Sequence, residues 1–196
     1  MSPVGRRELL SLGIPATLGV LESAEAEAEA AGVQPRTHLL KDTGAFPNSH
    51  LPAVVYDSVL TGGDLAAGFE ALFEQHGWTG SWRNGLYRTH HYHSTAHEVL
   101  GVHRGRVKVR LGGPAGPVLE LHAGDVVVIP AGVAHKNEEQ SDDFGVVGAY
   151  PTGTSPDLQY GKDGERPRTD RNISALALPS SDPAFGKSGA LVRLWR

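Results

Sequence analysis

After Gly85 the apolar positions recur at every second residue, in short runs divided by glycine and proline. Alternation of this kind sends successive side chains to opposite faces of an extended chain. Residues 86–93, 97–104, 106–111, 118–122 and 125–130 read as strands on this pattern, and a further strand runs from about Phe144 to Tyr150. The third run is the clearest: Val107, Val109 and Leu111 alternate with Arg106, Lys108 and Arg110, so one face is buried and the other is wet. Gly112-Gly113-Pro114-Ala115-Gly116-Pro117 is a strong turn. Upstream, His38–Leu40 and Leu51–Leu60 read as short strands around a turn at 44–49. The helical period takes over between Asp64, a capping residue, and about His76. Leu65, Phe69, Leu72, Phe73 and His76 share one face there, and Gly77 ends the helix. From Pro151 to Arg196 the chain is rich in Pro, Gly, Asp and Ser and reads as ordered loop wrapping the barrel, with an end strand near Leu191. Strands at this spacing predict an all-β sandwich or barrel with one short helix ahead of the main strands.

Composition narrows the chemistry more than the fold. A chain of 196 residues is one domain by size, and 25 glycines with 13 prolines suit a turn-rich β protein. Cysteine is absent, which excludes a disulfide scaffold, a thiol nucleophile, an iron–sulfur cluster and a zinc ribbon. A formal net charge of −4 argues against a nucleic-acid partner, and no apolar run is long enough for an ordinary membrane span. Residues 1–31 differ from the rest: Arg6-Arg7 precede a modest apolar stretch from Leu9 to Leu21 and an Ala/Glu alternation from Ala24 to Ala30. That order resembles a twin-arginine export signal, which predicts a periplasmic mature protein made of a single domain over 32–196. The competing expectation is a disordered arm on a cytoplasmic protein.

Five of the ten histidines fall between His90 and His103. Strand alternation puts His91 and His93 on one face, with Tyr87 and Thr89, and turns His90 and Tyr92 to the other. Glu98 follows across a tight turn at Ser94–Ala96 and can face the same interior, whereas His97 faces away. His135 lies beyond the turn Pro130-Ala131-Gly132. Three imidazoles and one carboxylate, with no thiolate, suit a divalent first-row ion: Fe, Mn, Ni, Co, Cu or Zn. Four protein ligands on a six-coordinate ion leave two positions open. His103 and His122 read as surface strand residues, and Arg83 and Asn84 as turn residues before the motif.

The spacing Gly85-x5-His91-x-His93-x4-Glu98-x6-Gly105 resembles the first cupin motif at every defined position. Gly124-x5-Pro130-x-Gly132-x2-His135 resembles the second, except that Glu139 stands where the motif ends in Asn, while Asn137 comes two residues early. The blocks Ser81-Trp82-Arg83-Asn84-Gly85, His90–Thr95, Gly124–Asn137, Asp142–Val146 and Asp182-Pro183-x-Phe185-Gly186-Lys187 narrow the resemblance to YjlB-type cupins, over about residues 38–196. The resemblance implies an RmlC-like jelly roll, a double-stranded β-helix of two antiparallel sheets closing a small barrel. It also implies a homodimer as the default assembly. It implies no reaction, because one scaffold hosts many chemistries. Two functional expectations follow. One is a metal-dependent small-molecule enzyme of dioxygenase or isomerase/decarboxylase type. The other is a non-catalytic binding or sensor protein for a metal or small ligand. A metal-free sugar epimerase fits poorly, because that branch lacks the full ligand set.

Overall fold

The structure, a computed structural model, describes residues 34–196. The export-signal expectation therefore lies outside the described residues. Nine strands are present among the described residues: β1 (Arg36–His38), β2 (Ala53–Tyr56), β3 (Trp78–Asn84), β4 (Glu98–Arg104), β5 (Arg106–Leu111), β6 (Val118–His122), β7 (Val126–Ile129), β8 (His135–Gln140) and β9 (Gly145–Pro151). Three helices accompany them: α1 (Leu65–Gln75), α2 (Arg168–Ala175) and α3 (Ala190–Leu194). The strands form a six-stranded sheet, in the order β1-β2-β7-β4-β9-β3, and a three-stranded sheet, β6-β5-β8. Every pairing between these strands is antiparallel.

The two sheets close over an apolar interior that includes Val55, Leu100, Val102, Val107, Val109, Leu111, Leu121, Val127 and Ile129. The larger sheet is buried on its outer face as well. Val54, Val99, Val126, Val128 and Val147 face α1 and the C-terminal segment, together with Phe69, Phe73, Trp78, Leu191 and Trp195. Burial on both faces explains why β2 and β7 are continuous apolar runs. The smaller sheet keeps one face in water, and so its strands β5 and β6 retain strict alternation. Its outer face carries ion pairs such as Lys108–Glu139 at 2.8 Å, which at this exposure contribute little to stability.

Helix α1 forms as expected. The Asp64 carboxylate accepts hydrogen bonds from the Ala66 and Ala67 amides at 3.1 and 3.2 Å, and Gly77 takes the left-handed conformation (φ 77°) that ends the helix. The helix lies close on the sheet because Gly101 has no side chain. A Cβ there would stand 2.7 Å from the Phe69 ring.

Three expectations are corrected. The strand placed at 86–93 is reduced to isolated bridges at His91 and Tyr92, and the strand ahead of the motif is β3, over Trp78–Asn84. Residues 85–90 are irregular, although Asn137 donates one backbone bond to the Tyr87 carbonyl at 2.8 Å. The end strand near Leu191 is helix α3. Its Leu191 amide is held by the Asp182 carboxylate and the Tyr56 hydroxyl, at 3.0 and 3.1 Å, which turns the chain back onto the sheet. Part of the segment read as loop is helix α2, which buries only Thr169 and has no apolar stripe to announce it.

Candidate metal centre

Paired backbone bonds fix the first histidine. His91 and His135 exchange amide–carbonyl bonds at 3.2 and 2.9 Å, so the histidine of the first motif and that of the second sit side by side. Tyr92 and Gln159 exchange bonds in the same way at 2.9 and 3.0 Å. Two residues of extended chain are enough to preserve alternation. His91 and His93 face the barrel interior, whereas Tyr92 and His90 turn outward against Phe46. Glu98 opens β4 on the same inward face as Leu100 and Val102.

The donor atoms of His91, His93 and His135 lie within 4.8 Å of one another. Glu98, only 3% exposed, completes the group. Its Oε2 is 3.2 Å from His135 Nε2, and its Oε1 is 3.6 Å from His93 Nε2. Each ring has its Nδ1 against a backbone carbonyl: Thr89 at 3.2 Å for His91, Val133 at 3.1 Å for His135, and Asp157 for His93. A carbonyl can only accept, so each Nδ1 carries a proton, and each ring in its neutral form presents a bare Nε2 lone pair. The interior therefore gathers three lone pairs beside a carboxylate. Glu98 Oε2 is buried and accepts no hydrogen bond. With a neutral His135, its contact with that ring is not one, because the single ring proton is engaged at Val133. Lone pairs facing one another across about 3 Å suit a shared cation, and that is the spacing of neighbouring donors on one ion at about 2.1 Å. The residues fit a divalent metal.

Burial and charge act differently on the members of the group. Burial, reinforced by His135, pushes His91 down to about 3, which keeps it neutral and able to ligate. Burial alone would raise the Glu98 carboxyl, but His135 and His93 outweigh it and hold the group below the usual carboxylate range. Burial acts to lower His93, and the Glu98 carboxylate reverses this, leaving its pKa raised.

His97 points away, as alternation requires. Its Nδ1 accepts the Ala131 amide at 3.0 Å, and its ring packs on Trp195 with 4.7 Å between centroids. His97→Leu is expected to cost about 1–3 kcal/mol by leaving that buried amide unpaired, while metal binding stays unchanged. Urea denaturation and metal titration of the same variant check both halves. His103 sits against Gly145 and His122 is exposed. Arg83 and Asn84 end β3 rather than forming a turn. Arg83 makes a two-pronged bond to Glu70, both arms at 2.6 Å, and the Asn84 side chain accepts the Gly85 amide.

A cavity of about 460 Å³ opens onto the four residues. Tyr87, 60% exposed, stands edge-on to His91, and Leu158, 39% exposed, also lines the cavity. Two wall residues escape a reading of the sequence. Asp157 ties down the loop after His93, accepting from the Ser94 amide and hydroxyl, both at 2.5 Å, while its own carbonyl holds His93. Tyr150 donates to Glu98 Oε1 at 3.1 Å and accepts from Trp82 Nε1 at 2.8 Å. Burial and the nearby carboxylate push the Tyr150 pKa up, so the hydroxyl stays protonated. No local motif marks these residues, since each meets the site only through the fold.

A closed antiparallel barrel with three inward histidines and one inward glutamate defines a cupin. Residues 83–147 match the family model for the cupin domain, and the chain belongs to that family. It is 41% identical over 161 residues to the uncharacterised protein YjlB of Bacillus subtilis strain 168, a match covering 82% of this chain and 96% of that protein. Among solved structures, dTDP-4-dehydrorhamnose 3,5-epimerase from Elizabethkingia anophelis aligns with a TM-score of 0.38 at 14% identity, over 60% of this chain and 73% of that one. An oxalate decarboxylase variant from Bacillus subtilis aligns with a TM-score of 0.35 at 18% identity, over 58% of this chain and 28% of that one.

Proposed function

We propose that this cupin holds a divalent first-row metal through His91, His93, His135 and Glu98, and acts on a small molecule admitted by the adjoining cavity. The observation that carries the proposal is the set of three imidazoles, each with Nδ1 committed to a carbonyl, converging beside a buried carboxylate oxygen that no donor satisfies. A bound divalent ion supplies Lewis-acid polarisation of a carbonyl or, if redox-active, a place for dioxygen. The protein's own part is positional. Asp157 and the carbonyls of Thr89 and Val133 orient the rings, and the barrel wall excludes water from their far side. Leu86, Tyr87 and Leu158 give the cavity an apolar share, and its size is that of a small-molecule site.

One observation favours the non-catalytic reading as a second. Apart from the exposed Tyr87 hydroxyl, the acids and bases of the cavity wall beside the cluster are already engaged among the described residues. The Asp157 carboxylate is engaged by Ser94, Thr95 and Gln159, the Tyr150 hydroxyl by Trp82 and Glu98, and the Arg83 guanidinium by Glu70. A reaction here would draw its chemistry from the ion and, at most, the Tyr87 hydroxyl.

Full-length protein, purified without an affinity tag, should carry a first-row metal near one equivalent. Loaded and chelated forms should then differ in oxygen uptake or turnover across a panel of small carbonyl and phenolic compounds. Metal without turnover on any compound selects the binding reading. Absence of metal under every loading condition defeats both.

A further inference from the structure

The metal-centre reading leaves open how one carboxylate is kept to one donor atom. A glutamate can offer an ion either oxygen or both, and taking both would occupy a position that a substrate needs. In this chain the two oxygens of Glu98 are treated differently. Oε1 receives the Tyr150 hydroxyl at 3.1 Å, whereas Oε2 receives no hydrogen bond and stands 3.2 Å from His135 Nε2.

The Tyr150 hydroxyl is fixed in turn. It lies on the inward face of β9, two residues beyond Gly148, and accepts the indole N–H of Trp82 at 2.8 Å. Trp82 on β3 is paired in register with Gly148, and the indole lies on the bare backbone there. A Cβ on Gly148 would stand 2.2 Å from the ring. Three neighbouring strands thus supply one chain of contacts: indole on β3, hydroxyl on β9, carboxylate on β4. With its lone pair held by Trp82, the hydroxyl directs its single proton to Oε1.

We infer that Tyr150 is a positioning residue of the metal centre, whose hydroxyl, held by Trp82, occupies one oxygen of Glu98 and leaves the other as the single carboxylate donor. The inference rests on the metal-centre reading. It assigns Tyr150 and Trp82 a role toward the ion that neither motif predicts.

The test uses full-length protein and Co(II) alone as the probe. Cobalt affinity is measured by chelator competition, and the visible absorption of the bound ion reports its coordination. Tyr150→Phe should weaken Co(II) binding about 10–100-fold, the range for loss of a partner behind a ligand, and should change the Co(II) spectrum. Trp82→Phe should move both readouts in the same direction by less. His97→Leu, which alters packing on the opposite face of the sheet, should leave both unchanged. Wild-type affinity and spectrum in Tyr150→Phe would overturn the inference while leaving the metal centre standing. If that variant does not fold, an unchanged Trp82→Phe overturns it. Wild-type protein that takes no Co(II) removes the metal centre and this inference together.

Discussion

His135→Ala is expected to reduce divalent-metal affinity by more than the roughly 100-fold that marks the upper range for changes behind a ligand. His135 supplies the only donor from the second motif, and it brings β8 against the His91 backbone. Its loss leaves two imidazoles and a carboxylate, with the buried Oε2 of Glu98 deprived of its neighbour. The variant keeps the apolar interior, so its circular dichroism should match the wild type while titration with Mn(II) or Co(II) shows little binding. Undiminished affinity would remove His135 from the ligand set.

The second large effect is on stability. Asp182→Ala should destabilise the fold by roughly 3–5 kcal/mol, the cost of leaving several buried polar groups without a partner. Asp182 is fully buried and accepts from the Tyr56 hydroxyl and from the amides of Ala184, Phe185 and Leu191, the last three at 2.8, 3.1 and 3.0 Å. Those bonds seat the C-terminal segment against the outer face of the larger sheet. Alanine leaves the Ala184 and Phe185 amides and the Tyr56 hydroxyl facing no acceptor, and leaves the Leu191 amide with the Tyr56 oxygen alone. Urea denaturation should show the loss directly, and a change within the roughly 0.5 kcal/mol of an ordinary surface substitution would show that the segment is held by its apolar contacts alone.

The strands are most legible in the sequence where one face is wet. β5 and β6 run over the expected residues, because their alternation reports a single buried face. β8 stays hidden for the opposite reason. Its inward positions are His135 and Asn137, so the apolar period fails at the point where the chain carries its chemistry. The same strand explains the departure from the second motif. Val109 pairs with Asn137 and Lys108 with Glu139, so Glu138 is an extra residue. Asn137 turns inward and is buried, while Glu138 and Glu139 reach Arg110 and Lys108 on the outer face. β3 is masked by Gly80, at φ 69°, and by the shift in register between Thr79 and Trp82.

At the site, the sequence can propose His91, His93, Glu98 and His135, because spacing and alternation are local properties. The residues that orient them are out of its reach. Asp157 lies 64 positions from His93, and Tyr150 lies 52 from Glu98. In the sequence Tyr150 is simply the last apolar residue of a core strand. Only the pairing of β9 with β4 sets its hydroxyl beside a carboxylate.

Anomalous diffraction from crystals of the Co(II)-loaded full-length protein, recorded at the cobalt edge, tests the metal centre most directly. The predicted result is one dominant peak inside the barrel, with Nε2 of His91, His93 and His135 and one oxygen of Glu98 at about 2.0–2.2 Å from it. A peak bound elsewhere, or an interior without cobalt while all four side chains keep their places, would contradict it.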